Sequence, residues 1–166
     1  MRNITKEIVL SLLRVDFQEG KIFWIKRGKG RPSKNGTEAG GKYWNTGKNK
    51  EYWRVWINGK NYRRGQIVFL AAYGKLPTPC VDHINGDGLD DRLSNLREAT
   101  YLENNRNRKT QRKGKKLPLG VSFVNGGYTA RIINNKKHIW LGLYGTKEEA
   151  EAVYKTARRE LFGEFA

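Results

Sequence analysis

Asp82 and His83 stand side by side in Val81-Asp82-His83-Ile84-Asn85-Gly86-Asp87, and the carboxamides of Asn95 and Asn104 follow in the next stretch of chain. A carboxylate and a carboxamide offer hard oxygen donors of the kind that hold a small divalent cation. The imidazole beside them is the side chain best suited to accept a proton near neutral pH. Such a set suits metal-assisted attack of water on a phosphodiester. Charge points the same way, because 33 Lys and Arg against 16 Asp and Glu give a formal net charge of +17. A chain so basic attracts phosphate, and its binding depends strongly on salt through counterion release.

These residues need a frame that brings them together. Residues 80–84 are short and apolar at alternate positions, and the turn-prone Asn85-Gly86-Asp87-Gly88 follows, so they read as a strand entering a long hairpin loop. Asp82 and His83 then project to opposite sides or straddle the strand end. Residues 95–99 return as a second strand. Thr100-Tyr101-Leu102-Glu103 has the form of a capping box that opens a helix with Asn104 in its first turn. The expected order is strand, loop, strand, helix.

The run Asp82-His83-Ile84-Asn85-Gly86-Asp87, then Arg92-Leu93-Ser94-Asn95-Leu96-Arg97-Glu98-Ala99-Thr100, then Glu103-Asn104 resembles the HNH endonucleases, in the branch common among phage and intron-borne homing enzymes. The resemblance implies a ββα-metal fold and hydrolysis of double-stranded DNA, with nicking the expected outcome for a monomer. It also implies roles: His83 as general base, Asn95 as the residue that braces the loop against it, and Asp82 and Asn104 as metal ligands, with Asn105 the alternative. Asn104 stands where many members carry His. That departure favours a single hard, oxygen-bound ion, Mg2+ or Mn2+, over zinc. A catalytically inactive DNA-binding regulator on the same scaffold is the alternative function.

Around this centre, residues 1–109 read as one nuclease unit with a hairpin-rich lead-in, its metal core at about residues 80–109. Ile4, Ile8 and Leu12, with Val9 and Leu13, make a helical apolar stripe. Residues 17–25 read as a hairpin turning at Glu19-Gly20. Tyr52-Trp53-Arg54-Val55-Trp56-Ile57 alternates up to the turn Asn58-Gly59, giving a ribbon with an apolar face that packs Trp53 or Trp56 and a basic face that could track a nucleic-acid backbone. A second helix is expected from Arg64 to Tyr73, closed by Gly74 and Pro77.

Residues 110–117 read as a basic linker, within a run that holds Arg106, Arg108, Lys109, Arg112, Lys113, Lys115 and Lys116 and no acid. Arg108 is expected one helical turn beyond Asn104, and Arg112 and Lys113 add phosphate contacts. From residue 118 to 166 the pattern changes. Three alternating segments, residues 120–123, 128–132 and 138–142, are followed by the capping box Thr146-Lys147-Glu148-Glu149 and a helix with Ala150, Val153, Tyr154, Ala157 and Leu161 on one face. A three-stranded antiparallel sheet packed on one helix is implied, and the fold class is α+β.

This last segment resembles the plant ethylene-response-factor (APETALA-type) DNA-binding domain, through Gly120-Val121, residues 128–132, Trp140-Leu141-Gly142 and Glu148-Glu149-Ala150 with Leu161-Phe162-Gly163. The resemblance implies that the sheet faces the major groove, with Arg131, His138 and Trp140 at contact positions and Ser122 where the family commonly has Arg. No stretch approaches the 18 or so apolar residues that span a bilayer, and no leader pattern opens the chain, so a soluble intracellular monomer is expected. The single cysteine, Cys80, excludes an internal disulfide and suits packing.

Overall fold

The computed structural model describes residues 4–25, 35–47, 50–107 and 117–166. Arg108, Arg112, Lys113 and the rest of the expected basic linker up to residue 116 lie outside the described residues. The chain mixes helices with small antiparallel sheets and divides into two compact units, Met1–Asn104 and Asn105–Ala166.

In the first unit, helix α1 (Lys6–Leu12) starts at Thr5, whose hydroxyl accepts from the Ile8 amide. The expected stripe is present and is buried most deeply at Val9 and Leu13, with Ile4 and Leu12 packed against the same core. Val9 and Leu13 are fully buried, whereas Ile8 and Leu12 are only half-buried, because the chain leaves the helix at Leu13 and runs into strand β1 (Leu13–Asp16). β1 pairs with β2 (Lys21–Trp24) as an antiparallel hairpin that begins four residues before the expected start. A three-stranded sheet follows, β3 (Gly41–Asn45), β4 (Lys50–Ile57) and β5 (Lys60–Arg63), with β4 in the middle. The β4–β5 turn is Asn58-Gly59, both at positive φ (46° and 84°), as a tight two-residue hairpin turn requires.

Alternation along β4 sorts the tryptophans. Trp53 shares the inward side with Val55 and Ile57 and donates its Nε1–H to the Ala39 carbonyl at 2.8 Å, while Trp56 is 59% exposed on the other face. Helix α2 (Arg64–Tyr73) buries Ile67, Val68, Phe69, Leu70 and Ala71 and is apolar on nearly every side, as a helix through the middle of a core must be. It ends at Gly74, left-handed, whose amide donates to the Leu70 carbonyl. Strand β6 (Cys80–His83) then pairs with β7 (Leu96–Ala99), a short 3-10 turn (Leu93–Asn95) leading into β7. Helix α3 (Tyr101–Arg106) opens on Thr100, whose hydroxyl accepts from the Glu103 amide at 3.2 Å while the Glu103 carboxylate takes the Thr100 amide at 2.8 Å. That is the expected capping box.

The second unit contains β8 (Val121–Val124), β9 (Gly127–Asn134) and β10 (Lys137–Tyr144), antiparallel with β9 central, and helix α4 (Lys147–Phe162). Thr146 and Glu149 cap α4 reciprocally. Val121, Ala130, Ile132, Ala150 and Tyr154 form its core. Leu161, expected on the packed face, is 39% exposed, and the neighbouring Phe162 packs against the core in its place.

Candidate active site

His83 closes β6 and is buried, although an imidazole is polar. Its Nε2 lies 2.8 Å from Oδ1 of Asp91, whose other oxygen accepts from Arg64 Nε at 2.8 Å. Arg64 is itself buried at the start of α2. Its Nη1 donates to Glu38 Oε1 and its Nη2 to the Leu89 carbonyl, each at 2.8 Å, and its guanidinium lies over the Trp53 ring. A buried guanidinium is tolerable only with such complete pairing. Asp91 is thereby shared between the His83 imidazole and the Arg64 guanidinium.

Two glycines make this approach possible. A Cβ at Gly65 would stand 2.7 Å from Asp91 Oδ1, and one at Gly20, at φ +64°, would stand 2.2 Å from the Asp91 carbonyl carbon. The loop that delivers Asp91 is tied from within by Asn95. Its Oδ1 accepts from the Asn85 amide at 3.0 Å, and its Nδ2 donates to the Asp90 carbonyl at 2.7 Å and to Asn85 Oδ1 at 3.0 Å. The Ile84 amide donates to the Asn95 carbonyl at 2.9 Å. Asn95 therefore braces the loop, and the side chain that reaches the imidazole is Asp91. Arg92 and Asn85 hold Asp90 on the same loop, and the hydrogen bond from Arg92 lowers its carboxyl below the usual carboxylate range.

Asp82 precedes His83 and so projects from the opposite face of the hairpin. It is 3% exposed and accepts from Arg97 Nε at 2.9 Å, Arg97 being its cross-strand partner. Cys80, two residues earlier on that face, accepts from Asn104 Nδ2 through its sulfur at 3.4 Å and donates its thiol to the Ala99 carbonyl. This contact sets Asn104, in α3, on the same face of the hairpin as Asp82. Tyr52 of β4 stands on the His83 side, with ring centroids 6.3 Å apart. Burial raises its phenol above the usual range, Arg63 opposing and Asp82 adding to the effect, so the hydroxyl keeps its proton at neutral pH.

The sequence reading passed over Asp91, Arg64 and Tyr52. A signal for the first two was present: Arg64 opens the most apolar helix of the chain, and an arginine there demands a buried carboxylate. In the second unit Arg131, His138 and Trp140 share one sheet face. Trp140 is the register partner of Arg131 and His138 of Ile133, and the Arg131 guanidinium lies 5.8 Å from the Trp140 ring centroid. Trp140 is 56% exposed, while Ala130 and Ile132 point to the opposite, buried face.

A buried imidazole ordered by a carboxylate, with further carboxylate and carboxamide groups on a strand–loop–strand–helix frame, is the equipment of a hydrolytic nuclease. Residues 64–106 match the family model described as HNH endonuclease. The chain is 35% identical over 102 residues to an uncharacterized HNH endonuclease of Acanthamoeba polyphaga mimivirus, covering 60% of this chain and 52% of that protein. It is 32% identical over 117 residues to Protein 3.8 of Escherichia phage T7, covering 63% of this chain and 88% of that protein. The chain therefore carries an HNH endonuclease domain over residues 64–106. It spans about half the length of the mimivirus relative. No solved structure gives a significant match. Among the described residues, no helix is long and apolar enough to cross a membrane.

Proposed function

We propose that this protein is a metal-dependent endonuclease that hydrolyses phosphodiester bonds of double-stranded DNA and, as a monomer with one site, nicks it. The observation that carries this reading is the 2.8 Å contact of His83 Nε2 with Asp91, which holds the imidazole in one orientation. His83 then accepts the proton of the attacking water. Asp91 and Arg64 hold the ring, and Asn95 holds the loop that carries Asp91.

Among the described residues no cluster of three or more His, Cys, Asp or Glu could hold a metal ion. The donors on the Asp82 face are a carboxylate and a carboxamide, Asp82 and Asn104, and hard oxygen donors in that number fit one Mg2+ or Mn2+ that keeps water and phosphate oxygens as its other ligands. A bound ion supplies charge stabilisation at the scissile phosphate. We assign the ββα-metal arrangement to β6, β7 and α3 on this basis. The exposed Arg131–His138–Trp140 face supports a positioning role on duplex DNA for residues 118–166, as in ethylene-response-factor type domains, and Arg108, Arg112 and Lys113 are proposed as phosphate contacts.

A second reading has one observation in its favour. Arg97 already lies against the Asp82 carboxylate, as a built-in cation does on a scaffold that only binds DNA. Incubating the full chain with supercoiled plasmid and Mg2+ or Mn2+ separates the two. Nicked circles that vanish with chelator support the nuclease, and unaltered supercoiled DNA supports the inactive binder.

A further inference from the structure

Along β4, the side opposite Val55 and Ile57 carries Tyr52, buried beside His83, and the exposed Arg54 and Trp56, alternate positions of the strand being about 7 Å apart. Arg63 on β5 is the cross-strand partner of Arg54, so two guanidinium side chains stand directly opposite each other on one face. Each lies on a tyrosine ring: Arg54 is 4.3 Å from the centroid of Tyr43, and Arg63 is 4.2 Å from that of Tyr52. Among the described residues neither arginine meets a carboxylate within ion-pair distance, although Lys42, Arg64, Lys75, Arg92 and Arg97 all do.

Like charges directly opposite on a sheet cost stability, and a pair held this way by stacking is relieved by a polyanion laid across it. The ladder leads to the candidate active site. Tyr52, beneath Arg63, is the ring beside His83. At the other end stands Trp56, 59% exposed and without a packing role.

We infer that the Arg54–Arg63 face of this sheet is a binding track for one strand of the DNA substrate, the two arginines taking phosphates and Trp56 packing on sugar or base, so that the strand is led to His83. The inference rests on the nuclease reading for the identity of the neighbouring site, but the track itself is a binding surface and is tested without cutting. Stacking leaves the guanidinium edges, with their N–H groups, turned outward in the forked geometry that phosphate accepts.

The test uses the full chain carrying His83→Ala, without metal, and a labelled DNA duplex titrated at several salt concentrations. Each lost phosphate contact flattens the slope of log affinity against log salt by about 0.9, so Arg54→Gln with Arg63→Gln should flatten it by up to roughly 1.8. Replacing both with Lys should keep the slope, because a phosphate needs the charge. Trp56→Ala should weaken binding at every salt concentration with the slope unchanged. Lys60→Gln, on the other face of the same sheet, should leave the slope alone. An unchanged slope in a folded double Gln variant overturns the track, as does an equal loss from Lys60→Gln or a loss seen on an RNA duplex and not on DNA. Failure of the wild type to cut DNA, with the slope change intact, would instead remove the nuclease reading and leave the DNA track standing.

Discussion

His83 and Asp91 share a hydrogen bond of 2.8 Å, both side chains being buried, and the same carboxylate is bound by Arg64. The imidazole is thereby fixed by a group eight residues away across the hairpin loop, and its partner is held in turn by the arginine that opens α2. In the proposed mechanism Asp91 is a positioning residue that acts through His83.

Removing that carboxylate has two separable effects. Asp91→Ala leaves the Arg64 guanidinium buried with a missing partner and should cost about 3–5 kcal/mol of stability by chemical denaturation. Asp91→Asn preserves the shape but presents a carboxamide that does not fix the tautomer. It should fold and bind DNA yet cut about a hundredfold more slowly or worse, with the loss in kcat. Full cutting by a folded Asp91→Asn protein would contradict the positioning role.

The loop has its own pH signature. Asp90 is held below the 3.8 of a free aspartate chiefly by the side-chain hydrogen bond from Arg92, with the Arg92 amide and Asn85 also contributing. A depressed folded value means that its stabilisation is fully present above 3.8 and is lost as pH falls through the lower folded value. The Tm difference between wild type and Asp90→Asn should therefore hold steady from about pH 7 to about pH 5 and close at more acid pH. A gap still open once both forms of the carboxyl are protonated would show that Asp90 acts by shape and not by charge.

On the second unit, Arg131 and Trp140 lie on one exposed face without a role in the core. If that face reads base edges, Arg131→Gln and Trp140→Ala should lower discrimination between cognate and scrambled duplexes by about 1–3 kcal/mol per lost base contact, while the rate on non-specific plasmid changes little. Equal weakening on both duplexes would assign the face to phosphate contact alone.

How far the sequence could be read depended on how local the signal was. The capping boxes at Thr100 and Thr146, the stop at Gly74 and the turn at Asn58-Gly59 are fixed by a few adjacent residues, and the structure has all of them. Asp82, His83, Asn95 and Asn104 were singled out by residue type and by the resemblance, and the structure sets Asp82 beside Arg97 and His83 beside Asp91. Asp91, Arg64 and Tyr52 come from three distant elements, and their meeting depends on tertiary packing that no local pattern encodes. The same holds for Trp56, which alternation puts on a face but whose exposure depends on what covers that face. Leu161 failed for a related reason: a helical stripe extrapolated to the last turn ignores where the sheet beneath it ends.

The central claim is that His83, held by Asp91, takes the proton from water in a metal-dependent cut of duplex DNA. The most direct measurement compares wild type and His83→Ala on supercoiled plasmid with Mg2+ or Mn2+, with duplex affinity measured in parallel. The account predicts nicked circles from the wild type, none from His83→Ala, and closely similar DNA binding by both. Equal cutting by the two proteins would contradict it.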